Sequence, residues 1–123
     1  MLHLIITIAL SAAIYQSPDN FDAMMREYNL VDIRELNGDI LIDLKYSTSD
    51  NFVGVDMYGE LETAYLEREF AKRVVRAQHI LKQRHPEYTL LIYDAARPIS
   101  VQRNMCKVVE GTEFEDFVAD GTR

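Results

Sequence analysis

The stretch Tyr88-Thr89-Leu90-Leu91-Ile92-Tyr93-Asp94-Ala95-Ala96-Arg97-Pro98 decides how the chain is read. Tyr88 to Tyr93 is an apolar run of strand length that follows His85-Pro86, and it predicts a buried strand. The second half turns polar and ends in proline, so the strand releases Arg97 into a loop. Pro98 fixes the backbone directly after the arginine and limits how far the guanidinium can wander. A cation held at a strand's end is positioned for recognition. Asp94, three positions before it, can accept hydrogen bonds from the guanidinium and hold its fork, although an aspartate that merely caps the loop would look the same.

Upstream, Phe70, Val74, Ala77 and Leu81 recur on one helical face with Glu67, Lys72, Arg73 and Lys82 elsewhere. This predicts an amphipathic helix from about Leu66 to Arg84, stopped at His85-Pro86. Before it, residues 47–59 are rich in Ser, Asp, Asn and Gly and carry Phe52 and Tyr58, the composition of an aromatic-bearing loop. Val31 to Leu36 and Asp39 to Tyr46 alternate in hydropathy on either side of Asn37-Gly38, which predicts an antiparallel hairpin. Ser17-Pro18 is a helix-start signal, followed by Phe21, Met24, Met25 and Tyr28 at helical spacing. Downstream, a helix is expected from near Ile99 to Val109, stopping at Gly111. Thr112 with Glu115 then forms a capping-box pattern for a short helix holding Phe114, Phe117 and Val118. Mixed elements in this order predict an α+β fold, a small antiparallel sheet packed with helices.

A chain of 123 residues, 48% hydrophobic, can bury one modest core. Thirteen basic against twenty acidic side chains give a formal charge of -7, which repels nucleic acid and anionic lipid. The single cysteine, Cys106, excludes an internal disulfide and a cysteine-built zinc site, and is expected to serve packing. Leu2 to Leu10 is apolar and Ser11-Ala12-Ala13 supplies small residues, so residues 1–13 read as an export signal, with a buried first strand as the alternative. The segment is too short to span a bilayer. Export would place the mature protein in the periplasm or outside the cell, with residues 14–29 a helix or linker and residues 30–123 the domain.

Together with Asp43-Leu44-Lys45-Tyr46-Ser47-Thr48-Ser49-Asp50-Asn51-Phe52-Val53-Gly54, the Tyr93-to-Pro98 motif resembles the D-alanyl-D-alanine dipeptidases, zinc metallopeptidases of the family that includes the vancomycin-resistance dipeptidase. The resemblance runs from about Leu30 to Arg123. It implies Zn2+-dependent hydrolysis of a small D,D-dipeptide in cell-wall metabolism, with Arg97 as the transition-state stabiliser. Asp94 would orient it. Asn51, Phe52 and Gly54 would belong to a loop bordering the active site, Phe52 as a pocket wall and the other two as backbone support. The resemblance also implies an incomplete domain, because the family's zinc-binding histidines and aspartate and its catalytic glutamate come from stretches after this one.

The chain's own histidines agree with that expectation. His3 lies in the apolar start, and His79 and His85 are six apart and do not share a helical face. No His-x-x-x-His or carboxylate-histidine cluster supplies the three protein ligands of a catalytic zinc, so no metal is expected on this chain alone. Ser47, Ser49 and Ser100 have no histidine base placed for them. Two other functions fit the same residues: a D,D-carboxypeptidase acting on peptidoglycan stems, and a catalytically inactive wall-binding module.

Overall fold

A computed structural model describes residues 20–121. The apolar start and Ser17-Pro18 lie outside the described residues. Helix α1, Phe21–Glu27, begins at Asn20, whose side chain accepts a hydrogen bond from the Ala23 N–H. It buries Met25 and leaves Tyr28, directly after it, exposed. Asn29 reverses the chain with φ +60°, a left-handed conformation that asparagine tolerates better than most residues.

Strand β1, Leu30–Asp32, then leads straight into a single helical turn, α2, Ile33–Leu36. This overturns the expected hairpin. Asp32 caps α2 by accepting from the Arg34 N–H, which winds Ile33 to Leu36 into a helix although their hydropathy alternates. Asn37 sits at φ −153° and Gly38 is not among the positive-φ residues, so Asn37-Gly38 lacks the two left-handed residues of a hairpin turn. Each half of the expected hairpin pairs elsewhere. β1 is antiparallel to β3, Tyr65–Glu67, with Val31 opposite Leu66. Strand β2, Leu41–Ile42, is parallel to β4, Leu91–Ile92. The fold is α+β as expected, with one antiparallel pair and one parallel pair among the described residues.

Helix α3, Arg68–Arg84, starts where Glu67 accepts from the N–H groups of Glu69 and Phe70. Its buried face is one position off the expected stripe: Ala71 and Gln78 are buried while Phe70 and Ala77 are exposed. Gln78 accounts for the offset. It is 1% exposed, donates to Thr89 Oγ1 at 2.6 Å and accepts from the Leu90 N–H at 2.9 Å, stitching α3 to the chain entering β4. The strand predicted from Tyr88 to Tyr93 is accordingly half-buried: Leu90 and Ile92 pack against the core, whereas Tyr88, Leu91 and Tyr93 face out.

Helix α4, Ile99–Val109, follows Pro98 and buries Val101, Met105 and Val109. Gly111, at φ +72°, ends this segment as expected. The last expected helix is a short 3-10 turn, Glu115–Phe117. Its capping box is displaced: Glu115 reaches back to the Gly111 N–H, and Thr112 Oγ1 is taken up between the Val109 carbonyl and the Phe114 N–H. Cys106 is half-buried and donates to the Ala119 carbonyl. The core gathers Ile33, Ile40, Leu44, Tyr58, Leu61 and Tyr65 beneath the helices. Among the described residues no helix is long and apolar enough to cross a membrane.

Candidate active site

The parallel pair aims the site. β2 and β4 are continued by hydrogen bonds from Asp43 N to the Ile92 carbonyl and from Lys45 N to the Tyr93 carbonyl, so both chains leave the pair side by side at the same end. One runs into the loop 47–59 and the other into Asp94 to Pro98. The latter is pinned by Ala96 N donating to the Tyr65 carbonyl at 2.9 Å, and Pro98 then opens α4.

Arg97 sits where these segments meet, and its side chain is 22% exposed. Nε donates to the Tyr58 hydroxyl at 3.0 Å, one terminal nitrogen donates to Asp94 Oδ2 at 2.7 Å, and the other donates to Gln102 Oε1 at 2.6 Å. The guanidinium carbon lies 4.7 Å from the centre of the Tyr46 ring. Tyr58 closes a cycle by donating its own proton to Asp94 Oδ1 at 2.5 Å. Burial works against the charged guanidinium, but its hydrogen bonds to Tyr58 and Asp94 outweigh that and hold its pKa above the ordinary arginine value. Burial first, then the bond to Asp94, pushes the Tyr58 hydroxyl well above the usual phenol range. The hydroxyl therefore stays protonated and keeps donating at neutral pH.

Asp94 makes both kinds of contact that its position in the sequence left open. It binds Arg97 and Tyr58, and it also caps its own loop by accepting from the Ala95 N–H at 3.0 Å.

The loop 47–59 is organised by Asn51. Its side-chain nitrogen donates to the carbonyls of Lys45, Thr48 and Val55, and its oxygen accepts from the N–H groups of Val53 and Gly54. These contacts stay close to the loop, so Asn51 is a support residue. Gly54 has φ +74°, and an added Cβ there would meet no atom within 4 Å. Gly54→Ala is therefore expected to cost about 1–2 kcal/mol of folding stability from backbone strain alone, measurable as a lowered denaturation midpoint; an unchanged midpoint would show that the turn relaxes freely.

Phe52 is 40% exposed and stands in a ring cluster with Tyr46, Phe114 and Phe117 at centroid distances of 6.2, 5.7 and 6.4 Å. Tyr46 also carries Arg97, so the cluster reaches the guanidinium through that one ring. Two members of the site are not legible as such in the sequence. Tyr58 is visible there only as an aromatic in a polar loop, and Gln102 as one polar position on α4.

Among the described residues no group of three or more His, Cys, Asp or Glu side chains is arranged to hold a metal ion. His79 and His85 are exposed, and His85 stacks on Tyr88. The described residues do not fit a catalytic metal.

A family model described as D-ala-D-ala dipeptidase matches residues 26–115. The match takes in the loop organised by Asn51 and the segment that carries Asp94 and Arg97. No curated protein matches the chain.

Proposed function

The chain belongs to the D-ala-D-ala dipeptidase family, a family of metallopeptidases, and from that membership we propose that it forms part of a zinc-dependent peptidase that cleaves a small D,D-dipeptide in cell-wall metabolism. In this reading Arg97 binds the scissile carbonyl oxygen and stabilises the negative charge that develops there during attack by water. The observation that carries it is the state of the guanidinium. Of its five N–H donors, three are held by Tyr58, Asp94 and Gln102, which leaves two for a ligand oxygen. Such a donor needs no reorganisation when charge develops, and the Tyr46 ring lying against it lowers the dielectric on that side. Asp94 orients the fork, while Asn51 and Gly54 shape the loop that presents Phe52.

Zinc, when bound, would polarise the carbonyl and activate the attacking water. The ligands this reading requires are not among residues 20–121, where no group of three or more His, Cys, Asp or Glu side chains is arranged to hold a metal ion. The same observation favours one competing reading, a wall-binding module that keeps the Arg97 cradle without hydrolysis.

Activity of the complete catalytic protein separates the two. Hydrolysis of D-alanyl-D-alanine, lost with a chelator and restored by zinc, is expected, with little turnover of L-alanyl-L-alanine. Binding of the D,D-dipeptide without turnover at any zinc concentration would sink the enzyme and favour the module. Residues 1–123 alone should retain no stoichiometric zinc after dialysis. We also propose export to the periplasm or beyond, from the apolar start and its small residues; N-terminal sequencing should find the mature chain beginning shortly after Ala13, and an intact Met1 on a folded cytoplasmic product would oppose it.

A further inference from the structure

We propose that Tyr58 and Gln102 are positioning residues that together fix the orientation of the Arg97 guanidinium, each from a different element. This deepens the catalytic reading of Arg97 and rests on it for its functional meaning, but the geometry can be tested without any turnover.

Asp94 alone does not fix the fork. It contributes one hydrogen bond, from a carboxylate that is itself 35% exposed, and a single contact leaves a long side chain free to rotate about it. The guanidinium plane is set only when its other two nitrogens are held. Tyr58 holds Nε. Its own place is determined independently of Arg97: the Tyr58 N–H donates to Asp56 Oδ1 and to the Tyr46 carbonyl, and the side chain is 1% exposed in the core. The hydroxyl is thus delivered by a rigid ring on a pinned backbone. Because it spends its proton on Asp94, its lone pairs face Arg97 as an acceptor, which gives the cycle one sense of donation.

Gln102 holds the remaining terminal nitrogen from one turn into α4. Its amide orientation is forced from the far side, since its Nε2 donates to the Ala119 carbonyl at 2.6 Å and so turns Oε1 toward Arg97. Cys106 donates to that same carbonyl, and Arg103 Nε donates to the Gly121 carbonyl, so the segment from Ala119 to Gly121 lies along α4 as the anchor of the Gln102 clamp. Tyr58 and Gln102 thereby lock Arg97 from opposite neighbours in the chain, the loop before β3 and the helix after β4.

The test is nuclear magnetic resonance of the Arg97 Nε–H in residues 1–123, with the signal assigned by its disappearance in Arg97→Lys. In the wild type this proton should exchange slowly with solvent. In Tyr58→Phe, which keeps the ring and its packing, exchange of the Arg97 Nε–H should accelerate at least tenfold while amide exchange within α3 changes by less than twofold. Gln102→Leu should broaden or shift the same signal with α3 again unaffected, and Gln102→Glu, which keeps the acceptor for Arg97 but turns a carboxylate oxygen toward the Ala119 carbonyl, should restore it only in part. If Tyr58→Phe left Arg97 exchange unchanged, or raised α3 exchange by the same factor, Tyr58 would be a stability residue only and the proposal would fall; the Gln102 pair decides in the same way should Tyr58→Phe not fold. Turnover of Arg97→Ala in the complete protein judges the catalytic reading separately. In that protein Tyr58→Phe should lower kcat more than it raises KM, and an equal loss through KM alone would count against positioning for the transition state.

Discussion

Replacing Arg97 with alanine in the complete catalytic protein is expected to lower turnover by about 10²–10³-fold, a barrier increase of roughly 3–4 kcal/mol. The size follows from what the side chain offers: a permanently charged donor set against the Tyr46 ring and held before the substrate arrives. The structure adds a stability component. Arg97→Ala removes contacts to Tyr58, Asp94, Gln102 and the Tyr46 ring at once, and about 1–2 kcal/mol of folding stability should go with them. The loss is limited because Asp94 keeps the Tyr58 hydroxyl and its own loop N–H as partners. Arg97→Lys should recover stability better than activity, since one ammonium retains the charge but cannot span three acceptors in a plane. Turnover must be measured per folded molecule, with the melting temperature alongside. A rate that falls only as far as the folded fraction falls would leave Arg97 a structural partner of Asp94 and no more.

The reach of the sequence is clearest at this site. Arg97 is legible because its signals are local: an apolar strand, a polar exit and a proline lie within a few residues of it. Asp94 is legible for the same reason, three positions away. Tyr58 and Gln102 are not, because their roles come from tertiary placement. Tyr58 meets Asp94 and Arg97 across 36 and 39 residues of chain, and Gln102 needs the Ala119 carbonyl 17 residues on to orient its amide. The fold divides in the same way. Helices α3 and α4 and the stop at Gly111 follow from spacing and terminators within each segment. The hairpin failed because an alternating pattern cannot say which strand is the partner. Val31 found Leu66, and Leu41 found Leu91, while a single cap from Asp32 turned the residues between them into a helix. The face of α3 shifted because a buried glutamine, which hydropathy assigns to the surface, is satisfied by Thr89 and Leu90.

Asn51→Ala should produce the largest purely structural effect at the site, about 2–3 kcal/mol of lost folding stability. Asn51 spends one side chain on both kinds of backbone group: two N–H donors reach three carbonyls, and one oxygen receives two N–H groups. Each bond is worth about 1 kcal/mol net, and partial exposure lets water replace some of them, so the total falls below a simple sum. No other loop side chain can take over the task, because the donors and acceptors converge on one amide. Asn51→Asp discriminates hydrogen bonding from shape. It has nearly the same volume and keeps the acceptor for Val53 and Gly54, but it presents a carboxylate to the carbonyls of Lys45, Thr48 and Val55, so it should destabilise at least as much as alanine. The damage should be local before it is global. Faster amide exchange is expected first at Val53 and Gly54, then loosening of Phe52 in its ring cluster, while β1 and β3 stay protected. If the unfolding free energy from denaturant titration moved by less than about 0.5 kcal/mol for both variants, the loop would be held by its aromatic contacts instead, and Phe52→Ala would then have to show the larger loss.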